Sequence, residues 1–350
     1  MKIPAYGILF ISFLVGGCIR IQSFHAIASY NQIIHKPSPM KYDPSIFIYS
    51  KMLPEPFMIE EKTLETERYQ SFFLSMPSSG PNGQNKYLAT ARYFKNKFAG
   101  QKKLIIILPI YGSSTYPPDI MALRFTEWNL DNDETNVLVI FGENDPYNLD
   151  IITNADTEQE LLKAMTESAE YIKNSIIDIQ RFLDWAAIRQ EVNSGRIGII
   201  GFSFGASVAS IVTGIDHRIA RGSFIMGGAN LNEIYAFSES DFLRKRQDKI
   251  LKKFGWTRRL LSQKLKGPLE KVNPANFAAR SASDAHRVLI VEAARDQFIP
   301  KNARDDFWIA WQKPKRIFIY SSHKMAFLTM TIMNFNRLDR KIFEFFEKNL

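Results

Sequence analysis

Residues 196–210 read RIGIIGFSFGASVAS, and their reading decides the fold. RIGII is a continuous apolar run, the texture of a strand buried on both faces of a parallel sheet, and ASVASIVTG after it is helical. The GFSFG between them must therefore reverse the chain. In a strand, turn and helix of this kind, Gly201 and Gly205 remove side chains that would crowd the neighbouring strand and helix, which leaves Ser203 exposed at the carboxyl edge of the sheet. With 18 glycines in 350 residues, chance supplies G-x-S-x-G in roughly one chain in fifteen. The flanking strand and helix carry the reading, not the string.

Working outward, five more apolar runs share the texture of RIGII: KLIIILPIYG (103–112), NVLVIFGE (136–143), GSFIMGG (222–228), RVLIVEA (287–293) and RIFIYSS (316–322). Helical patterns separate them. The longest begins near Thr157, where TEQE offers a capping box, and places Leu161, Met165, Ile172, Ile176, Ile179, Phe182 and Ala186 on one face. Six buried runs alternating with helices predict an open, mostly parallel sheet with helices on both faces. Upstream, FMIEEKTLE, YQSFFLSMP and NKYLATARYFK read as shorter strands.

The spacing between GSFIMGG and RVLIVEA is too long for a simple connection. Residues 230–287 hold thirteen Lys and Arg against six Asp and Glu, +7 of the whole chain's +9. Within them, residues 238–255 predict a helix with Ser238 and Asp241 as a capping box, an apolar stripe of Leu243, Ile250, Leu251 and Phe254, and Gly255 as its stop. TRRLLSQKLKG predicts a second, shorter one. Two readings stay open for this insertion: a solvated basic face, or a lid that faces a membrane or gates substrate.

A serine hydroxyl becomes a nucleophile only when a base removes its proton. The chain has five histidines. His25 and His35 lie in the N-terminal tether, while His217 and His286 precede strands and so fall at the wrong edge. His323, directly after RIFIYSS, shares the edge of Ser203. Asp296, just past VLIVEAAR, is the best-placed acid to orient and stabilise an imidazole, and turn formation is its alternative role. Glu292 lies inside its strand, and Asp305 and Asp306 in the helix that follows. Backbone donors for an oxyanion are expected from Phe204, at the start of a helix, and from Tyr111 in the turn LPIYGSS, with Ile110 and Gly112 as neighbouring choices.

The order Ser203, Asp296, His323, with GFSFGA, RDQFIP and LPIYGSS, resembles the α/β-hydrolase superfamily over residues 57–350. The resemblance implies a central sheet of about eight strands, acyl-transfer chemistry of the serine esterase, lipase or peptidase kind, and a helical cap after the family's sixth strand, here about 230–287. Two positions depart from the pattern. Pro109 and Ile110 stand where a histidine and glycine often open the oxyanion turn, and Ala293 stands where a glycine usually precedes the acid.

Composition agrees with one folded body: 45% hydrophobic and 23% charged residues exclude disordered, collagen-like and multi-span membrane classes. Zinc-ligand spacing and aromatic-basic RNA motifs are both missing, so the basic charge does not predict nucleic acid as a partner. At the N-terminus, Lys2, the apolar run to Val15 and the VGGC ending at Cys18, the sole cysteine, predict a signal peptide over 1–17. The ending resembles a bacterial lipobox, which implies lipid attachment at Cys18 and a place in the cell envelope. Residues 18–56 read as a tether.

The expectation is an envelope-anchored serine hydrolase acting on small-molecule or lipid esters, with no metal or organic cofactor. Its alternatives are a serine peptidase or amidase on the same scaffold and a non-catalytic surface lipoprotein that binds through the basic insertion.

Overall fold

A computed structural model describes residues 21–24, 43–51, 58–78, 88–112, 117–126, 135–141, 149–278, 282–328, 338–348 and 350. The elements in chain order are β1 (Ile21–Phe24), β2 (Ile59–Glu65), β3 (Tyr69–Pro77), β4 (Leu88–Asn96), β5 (Lys102–Leu108), α1 (Pro118–Thr126), β6 (Thr135–Ile140), α2 (Leu149–Asn154), α3 (Glu158–Ala187), β7 (Val192–Phe202), α4 (Phe204–Ile215) and β8 (Ile219–Ile225). They continue with α5 (Leu231–Phe237), α6 (Asp241–Phe254), α7 (Arg258–Glu270), β9 (Val288–Arg295), α8 (Lys301–Ala310), β10 (Lys315–Ser322), α9 (His323–Leu328) and α10 (Leu338–Glu347).

All six apolar runs are strands, and β10, β9, β8, β7, β5 and β6 form the parallel centre of one sheet in that order. The antiparallel strands β4, β3 and β2 extend one side, and β1 pairs antiparallel with β10 on the other. The described sheet thus has ten strands, where about eight were expected. Six parallel runs and three upstream strands were read from the sequence, and the tenth strand is β1, a four-residue antiparallel edge strand in the segment read as a tether.

β7 shows why the central runs are apolar throughout. Ile197 and Ile199 join the core on one face with the long helix α3, while Ile200 and Phe202 join the core on the other with α1 and α10. The capping box of α3 is present: the Thr157 hydroxyl accepts from the Glu160 amide at 3.1 Å, and the Glu160 carboxylate accepts from the Thr157 amide at 3.3 Å.

Two expectations change. The cap helix α6 starts at Asp241, and its first turn is capped by the Ser240 hydroxyl, which accepts from the Leu243 amide. Ser238 instead ends α5 and hydrogen-bonds to Ser240 at 3.0 Å. Its three-residue spacing to Asp241 falls ahead of the first helical turn, so no box can form. Two pieces of the expected tether also belong to the body. Ile21–Phe24 is the edge strand β1, and a 3-10 turn at Pro44–Phe47 buries Phe47 edge-on against Phe277 at 5.3 Å. A single aromatic anchor of that kind leaves no periodicity to read. Residues 1–17, Cys18, His25 and His35 lie outside the described residues.

The cap leaves the body after β8. At its base, the Asn230 amide donates to Asn273 Oδ1 at 2.9 Å and Asn273 Nδ2 donates to Asn230 Oδ1 at 3.0 Å. This reciprocal pair joins the chain where it departs to the chain where it returns.

Candidate active site

The site is built at the carboxyl ends of the parallel strands β5, β7, β9 and β10, with β8 between β7 and β9. At the end of β7, Ser203 adopts φ 52° and ψ −115°, a backbone region sparsely populated by residues with a Cβ. Surrounding bonds hold it there: its amide donates to the Ile225 carbonyl at 2.8 Å and its carbonyl accepts from the Ala206 amide at 3.0 Å. The two glycines are required sterically. A Cβ on Gly201 would lie 2.3 Å from the Gly205 carbonyl oxygen, and one on Gly205 would lie 2.2 Å from the Pro109 carbonyl oxygen. The reading of both glycines from the sequence is therefore met by backbone against backbone.

His323 is the first residue of α9, immediately past β10, and it is buried. Its Nε2 lies 3.2 Å from Ser203 Oγ, and its Nδ1 lies 2.8 Å from Asp296 Oδ2. Asp296 follows β9, and its side chain is fully buried. The other carboxylate oxygen accepts from the Phe298 amide at 2.8 Å and the Ile299 amide at 3.0 Å. Both roles weighed for Asp296 thus coexist: one oxygen caps a turn and the other holds the imidazole. Fixing Nδ1 on a carboxylate leaves Nε2 to take a proton from the hydroxyl, as general base chemistry requires.

The residues set aside are elsewhere. Glu292 is buried within β9 and hydrogen-bonded by Arg316 Nε at 2.9 Å and Nη2 at 2.8 Å, with Arg304 at 3.3 Å. Asp305 and Asp306 lie on α8, His286 lies in the 3-10 turn Ala282–Arg287 before β9, and His217 sits in the turn before β8. The turn after β5 does come to the elbow: Tyr111 and Ile110 share a cavity with Ser203 and Phe204, and the Tyr111 and Phe204 rings meet edge-on at 6.2 Å.

Sequence reasoning missed the aromatic setting of the imidazole. The Phe298 ring lies 4.9 Å from His323 and the Phe327 ring 5.0 Å from it, with Phe202 packed behind Phe327 at 6.0 Å. Phe202, fully buried, thereby supports the histidine from beneath the elbow and does not line the cavity. Phe298 stands inside RDQFIP, so its nearness to Asp296 was visible. Its contact with His323 depends on the pairing of β9 with β10. Among the described residues, no group of three or more His, Cys, Asp or Glu is gathered as metal ligands, and no helix is long and apolar enough to cross a membrane.

No protein-family model matches the chain, and no curated protein does. Solved structures do. Acetyl xylan esterase from Paenibacillus sp. R4 aligns at TM-score 0.57 and 14% identity over 84% of this chain and 90% of that one. Acetyl xylan esterase 1 from Thermoanaerobacterium sp. JW/SL YS485 aligns at TM-score 0.55 and 14% identity over 79% and 86%. The acylaminoacyl peptidase of Pyrococcus horikoshii aligns at TM-score 0.50 and 13% identity over 81% of this chain and 42% of that one. At such identities the likeness is one of architecture, and the mostly parallel sheet with its helices agrees with it: this chain has the α/β-hydrolase fold.

Proposed function

We propose that the protein is a serine hydrolase that cleaves carboxylic esters through an acyl-enzyme. The observation that carries this reading is the hydrogen-bonded series from Ser203 Oγ through His323 to the buried Asp296 carboxylate. His323 takes the Ser203 proton as Oγ attacks the ester carbonyl. Asp296 stabilises the imidazolium that forms, and the amides of Phe204 and Tyr111 hold the tetrahedral oxyanion. His323 then gives its proton to the departing alkoxide. Water, deprotonated by the same imidazole, hydrolyses the acyl-enzyme and restores the serine.

Ester substrates are supported over amides by two of the structural neighbours, which are named as acetyl xylan esterases. The same proposal carries export and lipid attachment at Cys18, and Cys18→Ser would abolish incorporation of labelled palmitate. The decisive experiment is at the nucleophile. A fluorophosphonate probe should label the wild type and not Ser203→Ala, and this variant should lose ester turnover by about 10⁵-fold or more while its melting temperature holds. Equal labelling of both proteins rejects Ser203 as nucleophile.

A further inference from the structure

Beside Ser203 lies a cleft of about 370 Å³ whose walls come from both the body and the cap. Leu149 and Met165 reach it from α2 and α3, Leu231 and Ile234 from α5, Leu243 from α6 and Leu269 from α7. Leu149, Met165 and Leu269 are buried members of the main core, so this wall is fixed by the fold and is not a passing surface crease. Polar atoms are few among the described lining residues. The Ser207 hydroxyl donates to the Gly228 carbonyl at 2.9 Å, and among Lys, Arg, Asp and Glu the described lining holds Lys324 alone. Lys324 is exposed and its ammonium lies 6.0 Å from the Phe298 ring, which sets its charge at the rim.

Resting on the serine hydrolase reading above, we propose that this cleft is an acyl-chain site, and that the substrate carries an uncharged alkyl acyl chain of medium length, octanoyl rather than acetyl. Two arguments lead there. The cleft is far larger than an acetyl methyl, since even a water molecule takes only about 30 Å³ of liquid volume. Besides the Ser203 and Ser207 hydroxyls and the His323 imidazole, the described walls offer polar side-chain atoms only at Tyr111, Tyr235 and the rim Lys324, too few for a sugar, peptide or charged acid, most of whose polar groups would lose water without gaining a partner. Alkyl chains lose nothing by the same transfer and gain with each methylene. On this reading the cap helices set specificity: Ile234 and Leu243 decide how far the chain extends from the carbonyl held at Ser203.

The test is a series of p-nitrophenyl esters from acetyl to dodecanoyl, kept below their aggregation limits, run on the full chain alongside fluorophosphonate labelling of Ser203. Wild-type kcat/KM should rise at least about tenfold from acetyl to octanoyl, since each buried methylene is worth up to about fourfold. Ile234→Trp and Leu243→Trp should each lower the octanoyl-to-acetyl ratio about tenfold. The wild-type series decides the matter even if a variant fails to fold. If Ser203 is labelled but kcat/KM is greatest for acetyl and falls along the series, the acyl-site proposal is overturned while the hydrolase reading stands. If Ser203 is not labelled and no ester turns over, both are overturned.

Discussion

The carboxyl edge around Ser203 and the basic cap above it are held in place by different physics. At the edge, backbone meets backbone with no room to spare: the elbow fits only because Gly201 and Gly205 lack Cβ atoms, and a buried carboxylate with two amide donors fixes the acid. The cap carries its own apolar stripe, with Ile250, Leu261 and Leu265 buried, but its basic side chains dock on the body through ion pairs near water. Arg246 pairs with Asp150 at 3.1 Å, Lys253 with Asp156 at 2.7 Å, Lys264 with Glu158 at 2.6 Å, and Lys271 with Glu170. The basic face is therefore partly neutralised by acids of α2, α3 and the turn between them. A position fixed by backbone packing tolerates almost no change, whereas one fixed by exposed charges should tolerate many.

The largest effect expected inside the edge, after loss of the serine itself, comes from Asp296→Asn. The amide keeps an oxygen for the Phe298 and Ile299 amides but turns the wrong group toward His323, so kcat should fall about 10⁴-fold with little change in melting temperature. A fall below tenfold would mean that another group orients His323. Next is Gly205→Ala, whose Cβ would stand 2.2 Å from the Pro109 carbonyl oxygen. Relief requires moving either the elbow or the turn after β5, so urea denaturation should show a loss of about 3 kcal/mol, accompanied by loss of turnover. An unchanged midpoint would show that the edge is softer than its contacts imply.

The same contrast explains what the sequence could reveal. Ser203, His323 and Asp296 were legible because each stands just past an apolar run, and parallel strands bring all their carboxyl ends to one edge. The elbow glycines were legible because the chemistry of a tight turn is local. Less could be read where the determining contact is distant in the chain. Ser238 and Ser240 both suit a cap, and only the true start of α6 separates them. Phe47 gave no sign of its place against Phe277, nor Phe327 of its place against His323 and Phe202. The ion pairs that hold the basic insertion against the body also join residues about a hundred apart in the chain, such as Lys253 and Asp156, which no local pattern announces.

The smallest effects should come from the cap's charges, and their pH dependence sharpens the comparison. Lys253→Gln or Lys264→Gln should each change global stability by no more than about 0.5 kcal/mol, because exposed pairs gain little against solvent and salt. Acid acts on the Asp156 and Glu170 pairs together. The hydrogen bond from Lys253 holds the Asp156 carboxyl below the ordinary range; at Glu170 burial opposes ionisation, but the Lys173 and Lys271 ammonium groups outweigh it and also hold the pKa low. A carboxylate with a lowered folded pKa adds stability that is complete above its unfolded value of about 4 and disappears as pH falls through the folded value. Hydrogen exchange followed below pH 5 should therefore show α6 and α7 losing protection before β7 and α4. If β7 and α4 open first or together with the cap, the ion pairs do not set the cap's hold on the body, and the buried leucines beneath it do.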